Sequence, residues 1–121
     1  MIQGAYVLFA SGTQEPQAVI DGASLTALRT GAVSGLATRW LARSDARKAV
    51  IFGAGVQARS HVTAMRAVRD VDDMVIVSRT AERAEALAAE VGGRVSDAAA
   101  VHDADLVCTC TTSAMPLFEG S

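Results

Sequence analysis

Gly53, Gly55 and Ala58 stand in the spacing Gly-x-Gly-x-x-Ala, directly after the apolar run Ala49–Phe52. That spacing suits the holding of a diphosphate. Gly53 permits a tight turn, Gly55 lets the backbone approach a pyrophosphate without a Cβ in the way, and Ala58 is small enough for a helix to pack on the strand before it. The turn Gly53-Ala54-Gly55-Val56-Gln57 opens a helix, and the free N–H groups of a helix start face an anion. Context separates the motif from a glycine turn that binds nothing: a strand before, a helix after, and a second strand roughly twenty residues on. The second strand, Met74–Ser78, ends in Ser78-Arg79-Thr80, with Arg83 one turn further. An acid at such a strand end accepts hydrogen bonds from a ribose 2′-hydroxyl, whereas arginine accommodates a 2′-phosphate. Asp72 and Asp73 precede the strand instead of ending it. Arg79 and Arg83, with hydroxyl donors on Ser78 and Thr80, therefore predict NADP(H), with NAD as second choice. The plain alternative is a solvated arginine pair at a helix start.

Other residues carry weaker signals. Thr111-Thr112-Ser113 follow the fourth strand, Leu106–Cys110, where ligands meet the carboxyl ends of a parallel sheet; a Thr/Ser-rich turn is the bland reading. Cys108 and Cys110 alternate along that strand, so both face one side, as core-filling residues do, and too few ligands stand near them for a metal site. His61 lies beside the apolar stripe of a helix, and His102 sits with Asp103 and Asp105; both read as packed or solvated side chains. Arg29, in Leu25-Thr26-Ala27-Leu28-Arg29-Thr30, offers a fork that fits a carboxylate, against the alternative of a helix-surface charge.

The elements that must position these residues follow from pattern. Ala5–Ala10 and Gln17–Asp21, joined through Gly12 and Pro16, read as an antiparallel hairpin. Ser24 is the expected N-cap of a helix over Leu25–Ala42, whose stripe Leu25, Leu28, Ala32, Leu36 and Trp40 is expected to face a core. Gly31 and Gly35 lie four apart on it and imply close packing. From Lys48 onward strands alternate with helices, including a helix through Val91 capped by Thr80 and stopped at Gly92-Gly93, a short strand at Val95 and a brief helix over Ser96–Asp103. The expected fold is α/β, a Rossmann-like parallel sheet with helical crossovers, preceded by a β-hairpin and long helix from a second domain. The implied division is 1–24 as hairpin remnant, 25–47 as linking helix and 48–121 as a partial dinucleotide-binding domain. A full fold of this type has about six strands, so the chain reads as part of a larger enzyme.

Composition narrows the classes. Among 121 residues, 50% are hydrophobic and 20% charged, and the formal net charge is -2. No basic footprint for nucleic acid is present, no run reaches the ~18 apolar residues of a membrane span, and two cysteines make no disulfide framework. A cytoplasmic location is the expectation.

Three stretches together, LTALRTGAVSGLATRWLA, IFGAGVQARSHVTAM and DLVCTCTTSAMPLF, with VSRT between the last two, resemble the ornithine cyclodeaminase/mu-crystallin family in order and separation. The resemblance spans nearly the whole chain. It implies a dinucleotide-binding domain beside a substrate and dimerisation domain, and a homodimer formed through the non-Rossmann part. It implies that Arg29 grips the substrate carboxylate, that Gly53, Ala54, Gly55, Val56 and Gln57 form the dinucleotide turn, that Ser78, Arg79 and Thr80 lie on the ribose side, and that Thr111, Thr112 and Ser113 contact the cofactor. Asn-Arg-Thr stands at that triplet in the NADP-using mu-crystallins, and an acid in the NAD-using cyclodeaminases. The resemblance also implies further substrate residues upstream of Met1 and a catalytic aspartate beyond Ser121, so no catalytic residue is expected among those given. The implied activity is reduction of a ketimine or pyrroline-carboxylate, with ornithine cyclodeamination as alternative. For the chain by itself the expectation is nucleotide binding without turnover.

Overall fold

A computed structural model describes residues 3–120. Strands β1 (Ala5–Phe9) and β2 (Pro16–Asp21) pair antiparallel, with Ala5 opposite Asp21 and Leu8 opposite Ala18. The hairpin runs straight into α1 (Gly22–Leu41). Asp21, not Ser24, is the N-cap: its carboxylate accepts the Ser24 N–H at 2.7 Å. Asp21 ends a strand and is therefore already extended, the backbone a cap requires. The Ser24 side chain, and then its backbone N–H, hold the Asp21 carboxyl below the usual carboxylate range.

The side of α1 that packs differs from the expected stripe. Leu28 is 70% and Trp40 74% exposed, while Ala27, Gly31 and Gly35 are buried. The reason is backbone proximity to α2 (Val56–Arg66). A Cβ on Gly31 would lie 2.8 Å from the Ser60 carbonyl oxygen, and one on Gly35 3.1 Å from the Ala64 Cβ. Only small residues allow helices this close, so the bulky apolar side chains lie on the outer side. Arg69 closes the other end of α1, donating to the carbonyls of Thr38, Arg39 and Ala42 at 2.7–3.0 Å. The Thr38 carbonyl also takes the Ala42 N–H at 3.1 Å, and Arg69 supplies donors to the helix end that would otherwise turn to water.

The parallel sheet follows. Its strands are β3 (Lys48–Phe52), β4 (Asp73–Val77), β5 (Arg94–Val95) and β6 (Leu106–Thr109), in the order β5-β4-β3-β6. All pairs are parallel, with Phe52 opposite Val77 on one side and Thr109 on the other. The crossovers are α2, α3 (Ala81–Val91) and a 3-10 turn over Ala98–Asp103. Ile51, Met74, Ile76 and Leu87 form one core with Val62 and Met65 of α2. On the opposite face Val50, Phe52 and Val75 are covered by Ala98, Ala100, Ala104 and Leu117. The entry ends are stapled by charge. Asp105 accepts the N–H groups of Arg47 and Lys48 at 2.8 and 2.9 Å and pairs with Arg43, and Asp73 takes both prongs of Arg94 at 2.8 Å.

From β3 the chain winds outward through β4 and β5, then returns to place β6 on the other side of β3. The strand order therefore reverses between β3 and β6, and in open α/β sheets a ligand crevice lies at that switch, outside the carboxyl ends.

Candidate functional site

At the carboxyl end of β3 the chain turns at Gly53, whose φ is 109°. Its N–H donates to the Val77 carbonyl at 2.8 Å, and the Cys110 N–H donates to the Phe52 carbonyl at 2.7 Å. The turn is thus clamped between the ends of β4 and β6. A Cβ at position 53 would sit 2.4 Å from the Cys110 carbonyl oxygen, so no side chain fits. Gly55 differs. It has an ordinary φ of −100° and caps α2, and a Cβ there would meet nothing within 4 Å. The first bond of α2 runs from the Arg59 N–H to the Gly55 carbonyl. The amides of Val56, Gln57 and Ala58 precede that bond, no side chain caps them, and no acid stands in the first turn. Open space and free amides meet on one small surface. A diphosphate fits that donor set, since it brings acceptors and negative charge to the positive end of a helix.

The Gly53–Val77 bond places the second motif beside the first. Ser78, half-buried, follows β4, and its hydroxyl accepts the Thr80 N–H at 3.4 Å. Thr80 holds the N-cap position of α3 without a side-chain cap bond. Arg79 and Arg83 are exposed, and among the described residues neither pairs with a carboxylate. Across the switch, Thr109, Thr111 and Ser113 line a cleft of about 330 Å³ with Met115 and Phe118. The Phe118 ring lies 5.2 Å from that of Phe52, which ties the segment back to β3. Arg29 is exposed on α1, two residues before the Gly31 contact with α2, and does not line this cleft.

Cys108 and Cys110 both pack against the larger core and carry free thiols. Burial pushes Cys108 up to about 11; burial, then the neighbouring Cys108, pushes Cys110 up to about 12. Such thiols stay protonated at neutral pH and are poor nucleophiles. Among the described residues no three ligating side chains gather around a point. His61, expected to be packed or solvated, is packed. It is buried, with Nδ1 2.7 Å from the Gln57 carbonyl and Nε2 3.0 Å from the Ser34 hydroxyl. The signal was its spacing of four from Gln57 in the turn.

A profile of the ornithine cyclodeaminase/mu-crystallin family matches residues 2–121. The chain belongs to the ornithine cyclodeaminase/mu-crystallin family. Within this family, Delta(1)-pyrroline-2-carboxylate reductase of Bacillus thuringiensis is 37% identical over 125 residues, covering 97% of this chain and 38% of the relative. L-lysine cyclodeaminase of Streptomyces rapamycinicus is 40% identical over 101 residues, covering 78% and 29%. Delta(1)-pyrroline-2-carboxylate reductase of Thermococcus litoralis, solved with NADH and L-proline, superposes with a TM-score of 0.88 at 31% identity over 96% of this chain and 38% of that one. The chain thus spans about 38% of the length of these reductases. It carries the family's α/β fold: hairpin, long helix and four-stranded parallel sheet with helical crossovers. No helix among the described residues is long and apolar enough to cross a membrane.

Proposed function

We propose that this chain is the dinucleotide-holding portion of an NADP(H)-dependent oxidoreductase acting on a small amino or imino acid, of the ketimine or pyrroline-carboxylate reductase type. The observation that carries the reading is the open cradle at Gly55, where free amides at the start of α2 face space that no side chain fills. In this reading Gly53 through Gln57 grip the diphosphate, and Ser78, Arg79, Thr80 and Arg83 hold the ribose and its 2′-phosphate. Thr111, Thr112 and Ser113 contact the cofactor from the far side of the crevice, although Thr112 does not line the cleft described above. Arg29 binds the substrate carboxylate in two-pronged fashion. A bound nicotinamide supplies or accepts the hydride. The chain's own residues bind and orient. The division into 1–24, 25–47 and 48–121, and a homodimer through the non-Rossmann part, belong to the same proposal.

NADP(H) is preferred over NAD(H) because the triplet that follows β4, Ser78-Arg79-Thr80, carries an arginine and no acid, with Arg83 one turn on beside Glu82. The test is a fluorescence titration of the chain with NADPH and NADH. NADPH should bind more tightly, and Arg79→Asp should weaken NADPH by about tenfold or more, the scale of a charge-assisted hydrogen bond, while leaving NADH nearly unchanged. Tighter NADH binding in the unaltered chain would refute the 2′-phosphate assignment. Absence of binding to either would refute the dinucleotide site itself. The second reading is redox-neutral cyclodeamination, favoured by the 40% identity to the lysine cyclodeaminase. In the longer protein, oxidation of NADPH by a cyclic ketimine supports the reductase, and ammonia release without net change in the cofactor supports the alternative.

A further inference from the structure

His61 makes two hydrogen bonds, and their partners fix its proton. The Gln57 carbonyl can only accept, so Nδ1, 2.7 Å away, carries the hydrogen. In the neutral ring Nε2 then offers a lone pair, and the Ser34 hydroxyl donates to it at 3.0 Å. The ring is 7% exposed and bridges the first turn of α2 to α1 at the level where Gly31 and Gly35 bring the two helices together.

The Gln57 carbonyl belongs to the same peptide group as the Ala58 N–H, one of the amides left free at the start of α2. A carbonyl four residues before His61 is also the acceptor for the helical N–H of residue 61. The imidazole therefore adds a second donor to one oxygen. Donation to a carbonyl polarises its peptide and strengthens the N–H on the other side, as in any hydrogen-bond chain. We infer that His61 is a positioning residue for the dinucleotide: through Nδ1 it polarises and orients the Gln57–Ala58 peptide that faces the diphosphate, and through Nε2 it locks that turn to α1, the helix of Arg29. The inference rests on the dinucleotide reading of the Gly53–Gln57 turn and assigns it a support outside the glycine motif.

Two polar variants separate the two ends of the ring. In His61→Asn the amide nitrogen reaches the place of Nδ1 and can still donate to the Gln57 carbonyl. In His61→Gln the longer side chain reaches the Nε2 end and leaves that carbonyl with its helical donor alone. NADPH affinity is measured for both, alongside thermal unfolding. Long-range proton–nitrogen NMR of the unaltered chain reads the tautomer directly. The expected result is the Nδ1–H tautomer, His61→Asn within about twofold of the unaltered affinity, and His61→Gln weaker by about fivefold, one neutral hydrogen bond. The Ala58 amide proton should move in His61→Gln and return in His61→Asn, at similar unfolding temperatures for both. An Nε2–H tautomer, or equal affinities in the two variants, would overturn the role of His61 and leave the dinucleotide site standing. An unaltered chain that binds neither NADPH nor NADH would remove both.

Discussion

The parallel sheet and the hairpin–α1 region are built from similar apolar residues and treat them in opposite ways. In β3 and β4, seven of the ten residues are buried, and α2 and α3 lie against them. Along β1 every residue is exposed, and β2 has only half-buried Ala18. Helix α1 shows its largest side chains to solvent and packs through alanine and glycine. The sheet thus contains its own source of stability, whereas a two-stranded hairpin with both faces open gains little beyond its ladder. The helix between them is held by close backbone contact and by Arg69, not by an apolar stripe.

The sharpest break of this contrast is a pair of leucines. Leu87 is 0% exposed and Leu28 is 70% exposed. Leu87→Ala should cost about 3 kcal/mol in urea unfolding, and Leu28→Ala under about 0.5 kcal/mol. Equal losses would mean that the outer side of α1 is covered in solution. The two turn glycines come next. Gly53→Ala forces a Cβ against the Cys110 carbonyl at a φ that side chains avoid, and should cost about 2 kcal/mol of stability. Gly55→Ala meets nothing within 4 Å and should leave unfolding almost unchanged while weakening NADPH binding. A Gly55→Ala chain that binds normally would show that the cradle is not where the diphosphate sits.

The smallest effect concerns acid. The Lys48 N–H, then the Arg47 N–H, hold the Asp105 carboxyl below the usual carboxylate range, and the Arg94 pair does the same for Asp73. A carboxyl lowered in the folded state contributes stability that is fully present above its unfolded pKa and is lost as pH falls through the folded value. Urea midpoints should therefore decline on the acid side of about pH 4, and Asp105→Asn should flatten part of that decline. An unaltered acid limb in Asp105→Asn would show that the staple does not separate folded from unfolded chains.

Much of this was legible in residue order. The strand–turn–helix around Gly53, the second strand (Asp73–Val77 where Met74–Ser78 is expected, so that Asp73 opens the strand instead of preceding it) and the same-side cysteines follow from spacing, because each depends on neighbours within one or two turns of chain. The helix over α1 was legible as a helix, but its buried side was not. Periodicity finds two candidate faces there, an apolar one and a small-residue one, and which is covered depends on what approaches. The cap moved from Ser24 to Asp21 for a similar reason: both side chains can cap, and the end of β2 decides where the helix begins.

What the residues alone determined is local: turn chemistry at Gly53 and Gly55, the charge that follows β4, and the alternation that forces parallel pairing through crossovers. Tertiary structure decided the rest. It put β6 on the far side of β3, so that Cys110 clamps the glycine turn and the Thr/Ser segment flanks it. It also brought Ser34 to His61 across 27 positions of sequence. Hydrogen bonds and contacts of that range depend on how whole elements pack, and packing is set by the shapes that meet, which no single stretch of sequence contains.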